Sequence, residues 1–118
     1  MQSVQRMVCA VSRAGLAALG VAVAGLASAN EASSQLALGR RLFTQSATPA
    51  CAVCHTLKDA EAEGAVGPIL DELKPDPARV MKALRNGLGQ MPSYRDKLSE
   101  AEMQALAAYV SKAVGSAR

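Results

Sequence analysis

The sequence has no tryptophan, one phenylalanine and two tyrosines in 118 residues, so Phe43, Tyr94 and Tyr109 are its whole aromatic inventory. That length allows a single domain. A domain this small already buries a modest share of its surface, and one with so few rings lacks the largest apolar side chains. Such scaffolds borrow a disulfide, a metal or a cofactor. Histidine is scarcer still: His55 stands alone. No stretch alternates with a two-residue period, so a sheet is not expected. There is neither a Lys/Arg stripe nor a set of rings on which bases stack, so nucleic acid is not expected as a partner.

What is present begins with a leader. Arg6 and Arg13 supply positive charge, Ala14 to Leu26 is an unbroken run of small and apolar residues, and Ala27-Ser28-Ala29 fits a small-x-small cleavage signature. The run is shorter than the roughly 20 residues that cross a bilayer, which weighs against a retained anchor. Residues 1–29 are therefore expected to be removed, Cys9 with them, leaving a domain of residues 30–118 with no membrane insertion. The leader contains two arginines and no acids, so the formal net charge falls from +3 to +1.

The mature part reads as helical. A first helix is predicted from about Ser34 to Ser46, with Leu36, Gly39, Leu42 and Phe43 on one face. A short second one begins near Pro49 and carries Cys51 to Thr56, and residues 57–75 are mostly loop, broken by Gly64, Gly67, Pro68 and Pro75. A third has Asp76 as N-cap, Pro77 in the first turn and Gly87 as its stop. The last opens with the capping box Ser99-x-x-Glu102 and buries Met103, Leu106, Ala107, Val110 and Val114.

Cys51-Ala52-Val53-Cys54-His55 carries the chemistry. A C-x-x-C-H pentapeptide is a c-type haem attachment signature. On one helical turn, positions i, i+3 and i+4 share a face. Both sulfurs then reach the two vinyl groups of one porphyrin while the imidazole sits under its iron. A thioredoxin-like dithiol calls for a βαβ setting that is not apparent here. A structural zinc site wants four ligands, and Cys51, Cys54 and His55 exhaust the Cys/His inventory after the leader. A Cys51–Cys54 disulfide leaves His55 unexplained.

With one histidine, a haem held by two histidines is impossible within the chain. A methionine is the next candidate for the second axial position. Met81 and Met103 fall on apolar helix faces and read as core. Met91 sits in a loop between Gly89 and Pro92, about 36 residues after His55, where the proline disfavours a helical conformation. Met91 is the preferred ligand, with an open iron site or a weaker ligand as the alternatives.

These features together resemble the class I monohaem cytochromes c. The resemblance covers almost all of the mature chain through Cys51–His55, Gly67-Pro68-Ile69-Leu70 and Met91-Pro92. It implies an all-α fold of about four helices wrapped around one covalent haem c, attached through Cys51 and Cys54 with His55 and Met91 on the iron. It also implies that the Pro68 carbonyl accepts the proximal ring's other N–H. The first and last helices would cross through Gly39 and Phe43 on one side and Leu106 and Tyr109 on the other. A narrower resemblance, over residues 54–62 and 67–76, is to the small cytochromes that accept electrons from periplasmic sulfite dehydrogenases. The molybdenum cofactor of those enzymes would belong to the partner.

The function implied is single-electron transfer in the periplasm, from a dehydrogenase to a downstream cytochrome or terminal oxidase, without a substrate of its own. The alternatives are a haem subunit of a dehydrogenase complex and an open-site haem enzyme or sensor. Asp59, Glu61, Glu63, Asp71 and Glu72 cluster after the haem motif, while Arg79, Lys82, Arg85, Arg95 and Lys97 flank the Met91 loop. As a group, the basic set points to an acidic partner docking on the Met91 side.

Overall fold

The computed structural model describes residues 20–116. Arg6, Cys9, Arg13 and the start of the leader's apolar run lie outside them. Helix α1 spans Gly20–Arg41 and continues as a π-helical segment, Leu42–Ser46. It ends where expected but begins well before Ser34. The expectation followed the buried stripe, and side chains from Leu26 to Gln35 are exposed, so no apolar face marks that part of the helix. Alanine-rich composition with no proline suffices to keep it helical. The expected cleavage site Ala27-Ser28-Ala29 lies on this exposed portion. Among the described residues, no helix is long and apolar enough to cross a membrane.

Two expectations between residues 49 and 75 need correction. The second helix is only a 3₁₀ turn, Cys51–Val53, closed by the His55 N–H on the Cys51 carbonyl at 2.9 Å. A small sheet does exist. Strand β1 (Thr56–Leu57) pairs antiparallel with β2 (Ala62–Glu63), Thr56 opposite Glu63 and Leu57 opposite Ala62. Two-residue strands are too short to show a period, which is why the sequence pattern is silent about them. The turn between them contains Glu61 at φ 53°, and the inward pair, Leu57 and Ala62, is buried. A one-turn helix α2 (Leu70–Leu73) follows, stopped by Lys74 at φ 45°. The described residues are nonetheless mainly helical, with four α-helices.

Helices α3 (Pro77–Asn86) and α4 (Glu100–Ala113) follow their punctuation. Asp76 accepts the Arg79 N–H at 2.8 Å, and Gly87 ends α3 at φ 69°. At α4 the Ser99 hydroxyl accepts the Glu102 N–H at 3.2 Å, while the Glu102 carboxylate accepts the Ser99 N–H at 2.8 Å. Both ends of that box satisfy backbone donors the helix itself leaves free.

The core sits where α1 crosses α4. A Cβ on Gly39 would lie 2.5 Å from Tyr109 Cβ, so the helices meet at backbone contact. One turn on, Phe43 stands edge-on to Tyr109 with ring centroids 6.1 Å apart. The Tyr109 hydroxyl donates to the Asp59 carboxylate at 2.6 Å and ties α4 to the β-hairpin turn. Burial, then that carboxylate, raise the Tyr109 phenol well above its ordinary range. Ser111 and Ser116 both donate to the Pro75 carbonyl, at 3.0 and 2.6 Å. With so few rings, these polar ties do much of the work of fixing loops to α4.

Alanine in place of Gly39 would improve helix propensity by up to ~1 kcal/mol. Here the methyl group meets backbone and must open the crossing, a strain of about 1–3 kcal/mol. Gly39→Ala is expected to lower stability, seen as a reduced Tm. A variant as stable as wild type would mean the helices do not meet at this glycine.

Candidate cofactor site

A cavity of about 850 Å³ opens between the Cys51–His55 turn, α3 and the loop after it. That volume falls within the range of pockets that bind cofactors. Cys51, Cys54, His55, Pro68 and Met91 all line it, so every residue singled out for the site from sequence is brought to one place. Phe43, Leu70, Leu73, Val80 and Val110 supply apolar wall.

The attachment turn is held tightly from behind. The Cys54 carbonyl accepts the Val66 and Gly67 N–H groups at 3.1 and 2.7 Å. A Cβ on Gly64 would stand 2.6 Å from both the Cys54 carbonyl carbon and the His55 nitrogen. Only glycine permits that approach. Gly67 lies against the imidazole itself: a Cβ there would be 2.5 Å from His55 Cε1 and 2.8 Å from Nδ1. The Pro68 carbonyl oxygen is 2.9 Å from His55 Nδ1. A carbonyl only accepts, so Nδ1 carries the proton and Nε2 keeps a lone pair for a metal.

Cys51 and Cys54 are free thiols, both half-buried. Burial pushes the Cys51 thiol up to about 11, with the Cys54 side chain adding to it. Dithiol redox sites depend on a depressed thiol pKa, and the shift at Cys51 runs the other way. Among the described residues, no group of three His, Cys, Asp or Glu side chains stands ready for a metal ion. Two thiols, an imidazole with one nitrogen pinned, a thioether and apolar walls fit a haem c.

Met91 reaches the cavity from a tight turn. The Leu88 N–H donates to the Met91 carbonyl at 3.0 Å and the Met91 N–H returns to Leu88 at 3.0 Å. Gly89 at φ 58° makes the turn possible. Tyr94 anchors the far side of the loop, its hydroxyl donating to the Pro49 carbonyl at 2.7 Å. Burial pushes that phenol up to about 12. Met103 lies in the core and Met81 lines a smaller groove with Leu36 and Ala107; neither borders the cavity.

Sequence reasoning read Gly64 as a loop breaker and counted Tyr94 only as a scarce ring; their placement depends on long-range approach that no local pattern encodes. The charges also resolve differently from their grouping along the chain. Arg85 pairs with Glu100, Arg95 donates to the Asn86 side-chain oxygen at 3.1 Å, and Lys97 stands over the Tyr94 ring at 5.8 Å. On the acidic side, Asp71 accepts the Lys58 N–H at 2.9 Å, and Asp59 is taken by Tyr109.

Residues 34–110 match the family model described as "Cytochrome C oxidase, cbb3-type, subunit III". The chain is 32% identical to the chloroplastic cytochrome c6 of Chlamydomonas reinhardtii, over 94% of this chain and 82% of that protein. The crystal structure of the c-type cytochrome SorU from Sinorhizobium meliloti superposes with a TM-score of 0.68. Its sequence identity is 52%, over 73% of this chain and 98% of SorU.

Gly67→Ala must push the imidazole away from the Pro68 carbonyl. The expected cost is about 1–3 kcal/mol in stability, with loss of exchange protection at the His55 Nδ1 proton in NMR spectra. A protected proton in the variant would mean that the ring is held in some other way.

Proposed function

Because this chain belongs to the monohaem class I c-type cytochromes, we propose that His55 and Met91 ligate the iron of its haem and that it exchanges single electrons with periplasmic proteins. Its cofactor is haem c, held through Cys51 and Cys54, and electron transfer with redox partners is its role. Bound haem c supplies a one-electron couple whose potential follows axial ligands, burial and hydrogen bonding.

The chain's own residues set those terms. The observation that carries the reading is the convergence of the Cys51–His55 turn and Met91 on one apolar cavity. Pro68 fixes the imidazole tautomer so that Nε2 is the ligating atom. The Met91 thioether favours the ferrous state and raises the potential. It also closes the position that a substrate or gas would need, so we read the protein as a carrier rather than an enzyme. Val66 and Leu88 are 70% and 72% exposed while lining the cavity, which offers an apolar rim for brief contact. Redox encounters use small interfaces of this kind.

We assign the donor to the sulfite dehydrogenase class on the resemblance over residues 54–62 and 67–76, and the acceptor to a downstream cytochrome or terminal oxidase. The leader expected over residues 1–29 places the mature chain in the periplasm.

Spectroelectrochemical titration of holoprotein made with haem-attachment machinery tests the ligation. Met91→Ala is expected to lose the weak sulfur-to-iron band and lower the potential by on the order of 0.1 V, a modest part of the ~0.8 V that axial ligands span. The ferrous variant should bind carbon monoxide readily where the wild type does not. Equal potentials, with carbon monoxide binding already in wild type, would replace the carrier with an open-site enzyme or sensor.

A further inference from the structure

Met91 and the Cys51–His55 turn border the same cavity on different segments of the chain, so their spacing depends on what joins those segments. The hydrogen bonds of the Met91 loop are almost all local. Leu88 and Met91 bond to each other, the Ser93 hydroxyl donates to the Arg85 carbonyl at 2.6 Å, and the Tyr94 N–H donates to the Leu84 carbonyl at 2.7 Å. The Lys97 and Leu98 N–H groups return to the Tyr94 carbonyl at 3.0 and 2.9 Å. All of these stay within residues 84–98 and tie the loop to the end of α3 and to itself. Among the described residues, the hydrogen bond that leaves this unit for the attachment side runs from the Tyr94 hydroxyl to the Pro49 carbonyl, 2.7 Å long and spanning 45 residues.

Both ends of that bond are fixed. Tyr94 is 3% exposed and lines the cavity. Pro49 precedes Ala50, whose carbonyl accepts the Val53 N–H at 3.1 Å as the attachment turn begins. A phenol three residues after Met91 is therefore bonded two residues before Cys51.

We propose that the Tyr94 hydroxyl is a positioning group for Met91, holding the loop to the attachment side so that the thioether stays on ferric iron. This rests on Met91 being the axial ligand. A thioether favours ferrous iron, so the ferric bond is the weaker of the two and the one lost first when the loop opens. Loop opening is a local equilibrium whose cost is set by the contacts that break. Without the Tyr94 bond, opening breaks no hydrogen bond to the attachment side. One hydrogen bond of ordinary net strength changes such an equilibrium by about threefold to tenfold.

The test is the rate at which imidazole replaces Met91 in the ferric holoprotein, followed by stopped flow at rising imidazole concentration. At saturation that rate is the rate of loop opening. Tyr94→Phe keeps the ring and removes the donor, and its saturating rate should be about threefold to tenfold above wild type. Tyr109→Phe is the matched control: it is equally buried, loses its bond to Asp59 and does not line the cavity. It should lower Tm yet leave the opening rate at the wild-type value. An unchanged rate in Tyr94→Phe, or an equal rise in Tyr109→Phe, overturns the proposal. In wild-type ferrous holoprotein the Tyr94 hydroxyl proton should exchange slowly with water by NMR, and a freely exchanging one overturns the proposal without any variant. A ferric wild type that lacks the sulfur-to-iron band and binds imidazole with no rate ceiling would overturn the ligand assignment instead.

Discussion

The contact between His55 and the Gly67-Pro68 backbone fixes the site from which the rest is organised. The Pro68 carbonyl accepts the Nδ1–H, its oxygen 2.9 Å from Nδ1, and Gly67 lies so close to the ring that a methyl group would displace it. The imidazole is left one orientation and one free nitrogen. Residues 64 to 68 also hold the back of the Cys51–His55 turn, so one segment braces both the attachment turn and the imidazole. Met91 is then brought to the same cavity by an independent device, the turn at Leu88–Met91, itself anchored through Tyr94 to Pro49. Two separately braced segments thus meet at one cavity.

That arrangement has an energetic side. The folded chain wraps α3, α4 and the π-helical segment after α1 around about 850 Å³ of space. Its wall is apolar, with Phe43, Leu70, Leu73, Val80 and Val110, and covering such side chains with a large apolar cofactor contributes roughly 25 cal/mol per Å² of surface removed from water. With Phe43, Tyr94 and Tyr109 as its only rings, the chain cannot fill the space itself. A covalent cofactor therefore serves as core as well as chemistry. The α1–α4 crossing at Gly39, which needs no cofactor, is the part of the core the protein builds from its own residues.

How much of this the sequence disclosed follows the range of the forces involved. Local signals read true: Asp76 and Pro77 opening α3, the Ser99–Glu102 box and Gly87 as a stop. Met91 was separable from Met81 and Met103 because a loop methionine has no helix face to serve, and the structure puts it on the cavity wall while keeping the other two off it. Signals that depend on distant approach did not read. Gly64 resembled any other loop glycine until the Cys54 backbone stood against it. The β1–β2 ribbon is too short to show a period. The exposed stretch of α1 has no buried face to mark it. Grouping charges along the chain did not show that Asp59 and Arg85 are engaged within the molecule, or that Arg79 and Lys82 are the members of the basic set that border the cavity.

The most direct measurement of the central claim is X-ray absorption at the iron edge of the wild-type ferric holoprotein. If His55 and Met91 are the axial pair, the iron's coordination shell shows a sulfur scatterer beyond its nitrogens. A shell of nitrogen and oxygen alone would contradict the account and leave the Met91 turn without the purpose assigned to it.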